Sequence, residues 1–250
     1  MAPEYKLIYW PQLPGRAEFI RLLFEEANVP YNDTGKGSSE EAVPAVTGII
    51  SPNKPPGSSN APVLAPPVLQ HGNLVLNQTP NILLYLAPRL GLGPADGDGL
   101  FRLNGIVLTL FDGFVDEVHD THHPIAVQDY YENQKDEARR RSKAFREERL
   151  PKFMAFAQHL LEADSSGGGP WLYGGQLTYA DLVLFQCIDG TLYAFPKTMK
   201  QLKESGKYDG VFRLYEAVKK RPRIAEYLAS ERRAKYSTGI WRHYPELEED

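Results

Sequence analysis

Residues 66–87, PPVLQHGNLVLNQTPNILLYLA, decide the fold, because they encode two short strands, a turn and a helix in direct succession. Val68 and Leu69 begin an apolar strand, residues 71–73 (HGN) form a turn tolerant of positive φ, and residues 74–76 (LVL) return as the partner strand. After Gln78 the apolar residues recur at helical spacing, namely Ile82, Leu83, Leu86 and Leu90. The stretch therefore predicts a β-hairpin that leads straight into a helix.

The same stretch predicts a ligand site. The unpaired backbone amides at the start of a helix, together with the helix dipole, favour an anionic group, and Gln78 and Thr79 are placed to hold it. Pro66 and Pro67 remove backbone donors just before the first strand. The neighbouring carbonyl and amide then face outward toward an extended peptide, above all if the bond to Pro67 is cis. A small peptide that carries a carboxylate fits this pattern.

This stretch resembles the glutathione-binding half of the soluble glutathione transferases. In that family a cis-proline loop pairs with the tripeptide backbone, and a Gln-Ser or Gln-Thr pair takes the γ-glutamyl end. Residues 5–31, YKLIYWPQLPGRAEFIRLLFEEANVPY, resemble the family's first strand, Gly-Arg turn and first helix. Residues 178–189, TYADLVLFQCID, resemble the buried, capped helix of its second domain. Three matches in the family's order make the resemblance specific.

Composition bounds the class of protein. A chain of 250 residues with 42% hydrophobic content has enough apolar sequence for one large or two modest domains. A net charge of −4 argues against a general nucleic-acid or anionic-membrane surface. No segment has the apolar length of a membrane span, and residues 1–13 lack a basic region followed by an apolar core, so we expect a cytoplasmic protein. The single cysteine, Cys187, lies among apolar residues and is expected to be a buried thiol.

The predicted fold class is α/β plus all-α. Residues 1–88 give the order β, α, β, α, β, β, α, which is consistent with a thioredoxin-like, glutathione-binding domain. Residues 88–99 are rich in helix breakers and are predicted to link two domains. Beyond them the apolar period is helical, so residues 99–250 are predicted to form an all-helical domain that contributes the site for an electrophile. Thr178 and Asp181 have the spacing of a capping box.

Tyr9 is the predicted catalytic residue. The thiolate is the nucleophilic form of a thiol, and a free thiol with a pKa near 8.5 is mostly protonated at neutral pH. A phenol that donates a hydrogen bond to the sulfur anion favours the charged form. The tyrosine classes of the family place this donor at the end of the first strand, before an aromatic residue, and Tyr9-Trp10 matches that pattern. Tyr5 is the competing candidate, and a plain strand aromatic is the alternative for Tyr9.

The resemblance implies further contacts with glutathione. Arg16 corresponds to an arginine close to the thiol, although an ordinary surface arginine is the alternative. Asp112 resembles an acidic residue that reaches the γ-glutamyl amine across a dimer interface, and a solvent-facing helical aspartate is the alternative. Lys36 and Lys54 are both candidates for the glycine carboxylate. The predicted glutathione-binding set is Arg16, Pro66, Pro67, Gln78, Thr79 and Asp112.

The sequence defines the electrophile site and the role of the histidines less closely than it defines the glutathione site. The predicted second-substrate site consists of Phe111, Phe114, Val115 and His122, with core packing as the alternative role. His119, His122 and His123 are spaced by three and four residues, but they have no nearby cysteine or clear acidic motif. The sequence therefore predicts no metal site.

The resemblance, together with these patterns, implies a cytoplasmic, homodimeric glutathione transferase. Glutathione is expected as co-substrate, with no cofactor, and its thiolate is expected to attack a small hydrophobic electrophile. No nucleic-acid or membrane partner is expected. The alternatives are a glutathione-dependent isomerase or peroxidase, and a noncatalytic binding module of the same fold.

Overall fold

The computed structural model describes residues 4–51, 56–57 and 59–249. It forms two compact units: Met1–Gly97 with Arg221–Lys235, and Asp98–Lys220 with Tyr236–Asp250. The domain limits drawn from the sequence, 1–88 and 99–250, stay a prediction. The sequence did not indicate that residues 221–235 would join the first unit.

The first unit is built on a four-stranded sheet in the order β2-β1-β3-β4. Its strands are β1 (Tyr5–Ile8), β2 (Tyr31–Asp33), β3 (Val68–His71) and β4 (Leu74–Asn77). β1 runs parallel to β2 and antiparallel to β3, and β3 and β4 form the predicted hairpin. Successive strand residues point to opposite faces, and Leu7 and Ile8 are both buried, so both faces of the sheet are covered.

Helices account for most of the remaining chain. The first unit contains α1 (Glu18–Ala27), α2 (Ser39–Ile49) and α3 (Thr79–Arg89). Next come α4 (Gly97–Thr109), α5 (Asp116–Asp120), α6 (Lys135–Ala144), α7 (Leu150–Glu162), α8 (Tyr179–Ala194), α9 (Pro196–Glu204) and α10 (Asp209–Lys219). The last helix, α11 (Pro222–Ala229), belongs to the first unit.

Helix α1 is the centre of the first unit and packs against α3 and α11. Its apolar residues Phe19, Ile20, Leu23 and Phe24 are fully buried. The helix ends at Asn28, which has the left-handed φ of 54° that commonly terminates helices. The observed order β, α, β, α, β, β, α confirms the predicted thioredoxin-like arrangement.

The second unit is helical, as predicted. Helix α8 is buried along nearly its whole length, and its capping box is confirmed: the Asp181 carboxylate accepts the Thr178 N–H at 2.7 Å. Cys187 is a buried free thiol, as expected. A π-helical segment, Leu110–Val115, lies between α4 and α5.

The C-terminal segment packs within the second unit. The Tyr244 ring stacks on Tyr131 with centroids 3.8 Å apart, and the Trp241 indole is buried. A Cβ atom at Gly190 would overlap that indole, so glycine is required for this close approach. In the described ranges, none of the helices combines the length and the apolar character that crossing a membrane would require.

Candidate active site

Strand register brings three predicted site residues to one edge of the sheet. Three neighbouring strands place paired residues side by side at this edge: Ile8, Val68 and Asn77. Tyr9 follows the first of them, Pro67 precedes the second, and Gln78 follows the third. Because β1 and β4 end where β3 begins, Tyr9, Pro67 and Gln78 all adjoin the same edge.

The Tyr9 hydroxyl is held as a hydrogen-bond acceptor. Its oxygen accepts the backbone N–H of Arg16 at 3.0 Å, and the Tyr9 N–H donates to Thr34 Oγ1 at 3.2 Å. Burial raises the pKa of Tyr9, although the Arg16 N–H and the charges of Arg21 and Arg16 oppose that rise. Within the described part of the chain, no hydrogen bond uses the hydroxyl proton. Tyr9 is therefore a neutral phenol whose proton is available to an incoming acceptor.

Gly15 makes this contact possible. Its φ is +45°, in the left-handed region, and a Cβ atom there would overlap the Tyr9 hydroxyl. The sequence identified the Gly-Arg turn but predicted a role for the Arg16 side chain. The structure shows that the Arg16 backbone N–H contacts Tyr9, and the side-chain role stays a prediction.

A buried arginine, which sequence reasoning missed, supports the turn. Arg21 Nη1 donates to the Leu13 carbonyl at 2.9 Å, to the Pro14 carbonyl at 3.2 Å and to Glu18 Oε2 at 3.1 Å. Its Nε donates to Asp33 Oδ2 at 2.7 Å. Arg21 thus ties the two carbonyls that precede Gly15 to the start of α1 and the end of β2.

The start of α3 has two unusual polar features. Gln78 has a φ of +65°, which is rare for a residue other than glycine and tends to occur at ligand-binding positions. The Thr79 hydroxyl is buried and has no hydrogen-bond partner among the described residues. An unsatisfied buried hydroxyl at a helix N-terminus fits a site that takes an anionic group. The Pro66–Pro67 peptide bond is cis, as the resemblance implied.

The residues predicted for the second substrate lie in the second unit. Phe111, Phe114 and Val115 are buried, and the Phe114 ring stacks on Phe153 with centroids 5.3 Å apart. These contacts are core packing, the alternative role, and the assignment to a substrate site stays a prediction. Asp112 is exposed in the π-helical segment, and its predicted contact across a dimer interface also stays a prediction.

The remaining predicted positions differ in how far the structure describes them. His122, the fourth residue predicted for the second substrate, is buried in the second unit, and its Nε2 lies 2.8 Å from the Ile240 carbonyl. Lys36 donates to the Tyr31 hydroxyl at 3.0 Å and lies 3.6 Å from Glu25. Lys54 is outside the described residues. The choice between the two lysines for a glycine carboxylate stays open.

Comparisons of the sequence with known proteins match this chain to glutathione S-transferases. The family model for "Glutathione S-transferase, C-terminal domain" matches residues 119–231. A glutathione S-transferase from Plasmodium falciparum is 23% identical over 233 residues, which cover 92% of this chain and 98% of that protein. S-crystallin 2 from Octopus vulgaris is 27% identical over 194 residues, covering 76% and 82% respectively. The solved structure of prostaglandin synthase D of Nilaparvata lugens aligns with a TM-score of 0.68 at 17% identity, over 92% of this chain and 98% of that one, which shows the fold alone.

Proposed function

We propose that this chain, a member of the glutathione S-transferase family, activates glutathione at the sheet edge formed by Tyr9, Pro67 and Gln78. The thiolate attacks a small hydrophobic electrophile, and the protein works as a cytoplasmic homodimer with glutathione as co-substrate and no cofactor. One observation carries the proposal: strand register places a buried phenol with an available proton at the same edge as the N-terminus of α3.

The chemistry follows from the state of Tyr9. The glutathione thiol releases its proton to solvent, and the Tyr9 hydroxyl donates a hydrogen bond to the resulting thiolate. Donation requires that the phenol stay protonated, which its raised pKa ensures. The sulfur lone pair then forms a bond to the electrophilic carbon. In a substitution reaction the leaving group departs with the electrons of the broken bond, so charge and atoms balance.

The start of α3 supplies the complementary binding element. The γ-glutamyl end of glutathione carries a carboxylate, which suits the amides of a helix N-terminus. The unpartnered Thr79 hydroxyl gains an acceptor when that carboxylate binds. The positive φ of Gln78 bends the backbone between β4 and α3 and brings the helix start to the sheet edge.

Conjugation of glutathione to a generic aryl halide tests the proposal. We expect the wild-type protein to consume glutathione and release halide in equal amounts, above the uncatalysed rate. Recovery of glutathione after conversion of another substrate would favour the isomerase alternative. The likeness to S-crystallin 2, a relative not named as a transferase, supports a second candidate, a noncatalytic binding module. Glutathione binding without turnover across several electrophile classes would favour that candidate.

Replacing Thr79 by valine tests the γ-glutamyl contact. We expect Thr79→Val to weaken glutathione binding by at least about 10-fold, because the lost hydrogen bond is to a charged carboxylate and such bonds contribute about 1.5–3 kcal/mol. The free protein should lose no stability, because valine replaces a buried hydroxyl that has no described partner. Calorimetric titration and thermal unfolding measure the two effects.

Thr47→Val is the matched control for this variant. Thr47 is exposed on α2, and its hydroxyl donates to the Val43 carbonyl. We expect this control to leave glutathione affinity unchanged. Unaltered binding by Thr79→Val would remove Thr79 from the site.

A further inference from the structure

Three histidines of the second unit converge where α5 ends. One ring nitrogen from each of His119, His122 and His123 lies within 4.8 Å of the other two. The Nδ1 atoms of His122 and His123 are 2.5 Å apart. The helical turn continues past α5, because the His122 N–H donates to the His119 carbonyl at 3.3 Å. Spacings of three and four residues therefore place the imidazoles on one side of this turn.

His122 is held in the form that a metal requires. Its Nε2 lies 2.8 Å from the Ile240 carbonyl, which only accepts hydrogen bonds, so Nε2 carries the proton and Nδ1 carries the lone pair. A neutral imidazole that donates its other N–H to a backbone carbonyl is the usual arrangement of a metal-bound histidine.

The surroundings contain charges of both signs. The Asp120 carboxylate lies 4.0 Å from His119 Nδ1 and favours a cation. The Arg242 guanidinium opposes one, because its positive charge interacts with both His122 and His123. His119 is partly exposed, whereas the other two rings are buried, so an ion would enter from the His119 side.

We propose that His119, His122 and His123 bind one divalent transition-metal ion of the zinc type, with water as the fourth ligand. Imidazole nitrogens suit Zn²⁺, Co²⁺, Ni²⁺ and Cu²⁺, and a tetrahedral zinc site has Zn–N distances of about 2.0–2.1 Å. Such a site separates its nitrogens by about 3.4 Å, so nitrogens that lie as far as 4.8 Å apart have to approach by about 1.4 Å. The bound ion stabilises the contact between the His122 ring and Ile240.

Metal titration of the untagged, full-length chain tests this site. After chelator treatment and dialysis, we expect one Zn²⁺ per chain by calorimetry, and Co²⁺ should give the visible absorption of a low-coordinate complex. His119→Ala and His123→Ala should each weaken Zn²⁺ binding by at least about 10-fold. His159→Ala is the matched control, because His159 is 79% exposed on α7 and outside the cluster. It should bind Zn²⁺ as the wild type does.

A variant that binds Zn²⁺ more tightly than the wild type cannot be explained by loss of folding. Arg242→Gln removes the opposing positive charge, so it should bind Zn²⁺ about 2- to 10-fold more tightly. Zinc should also raise the Tm of the wild type by more than it raises that of His119→Ala at the same concentration. Absence of Zn²⁺ binding by the wild type, or equal binding by every variant, would overturn the proposal. Glutathione conjugation plays no part in these measurements.

Discussion

Replacing Tyr9 by phenylalanine is expected to lower kcat/KM for glutathione conjugation by about 10- to 150-fold, since a hydrogen bond to a charged group contributes about 1.5–3 kcal/mol. Phenylalanine keeps the buried ring and loses only the hydroxyl that accepts the Arg16 N–H. The glutathione thiolate, which is the form that reacts, then lacks the hydrogen bond from residue 9. Initial rates with an aryl halide, corrected for the uncatalysed reaction, measure the change.

The pH dependence of kcat/KM shows whether the Tyr9 hydroxyl, which Tyr9→Phe lacks, acts on the glutathione thiol. Without the Tyr9 donor, the bound thiol should titrate near its solution pKa of about 8.5. The thiolate fraction, and with it kcat/KM, should then rise steeply between pH 6 and 8 in Tyr9→Phe. In the wild type the donor lowers the thiol pKa, so the profile should level off at lower pH.

Tyr5→Phe is the matched control, because Tyr5 is also a buried tyrosine and lies at the opposite end of β1. We expect its activity to stay within about twofold of wild type, as is usual for a residue remote from the reacting atoms. Wild-type activity in Tyr9→Phe together with a large loss in Tyr5→Phe would reassign the donor. Glutathione binding without turnover in all three proteins would favour the binding module.

The sequence predicted those features that depend on local patterns. The hairpin, the helix from Thr79 and the capping box at Thr178 each follow from turn residues, helical spacing or cap chemistry within a few positions. The cis bond before Pro67 and the position of Tyr9 at the strand end came from the family resemblance. The order of strands and helices along residues 1–88 was also predicted, and the structure agrees with it.

The sequence did not predict those features that depend on contacts between distant residues. The hydrogen bond to Tyr9 comes from a backbone N–H, which no side-chain pattern identifies. The convergence of the three histidines depends on the turn that follows α5. Arg21 was detectable in principle, because it lies four residues after Ala17 and three before Phe24, both on the buried face of α1. A charge at such a position indicates a buried ion pair.

That buried arginine gives the largest expected effect on stability. Arg21→Met should lower the free energy of unfolding by about 3–5 kcal/mol, because it removes the cation paired with the buried Asp33 carboxylate and one of the two cations beside Glu18. The Arg21 and Asp33 side chains are only 2% and 1% exposed, and Glu18 is fully buried. Urea unfolding, followed by both fluorescence and circular dichroism, measures the change and tests whether the transition is two-state.

An exposed ion pair supplies the control. Arg102 lies 3.8 Å from Asp98 with 61% of its side chain exposed, so Arg102→Met should change the free energy of unfolding by less than about 0.5 kcal/mol. Arg21→Lys keeps the charge but not the forked geometry of the guanidinium. Its decrease in the free energy of unfolding should lie between those of Arg21→Met and Arg102→Met. Equal losses for Arg21→Met and Arg102→Met would show that the buried pair contributes no more than a surface pair.

The pH dependence of the Arg21 effect follows from Glu18. Burial favours a higher pKa for Glu18, but the charges of Arg233 and Arg21 and the Tyr227 hydrogen bond outweigh it, so the pKa lies below its usual value of 4.5. A carboxyl group with a depressed pKa stabilises the fold above its unfolded pKa, and this stabilisation is lost as pH falls through the folded value. The difference between wild type and Arg21→Met should therefore be full at neutral pH and shrink below about pH 4.5. Because Arg21 also binds the Leu13 and Pro14 carbonyls, the variant should loosen the turn that presents the Arg16 N–H to Tyr9, linking the stability of the first unit to thiol activation.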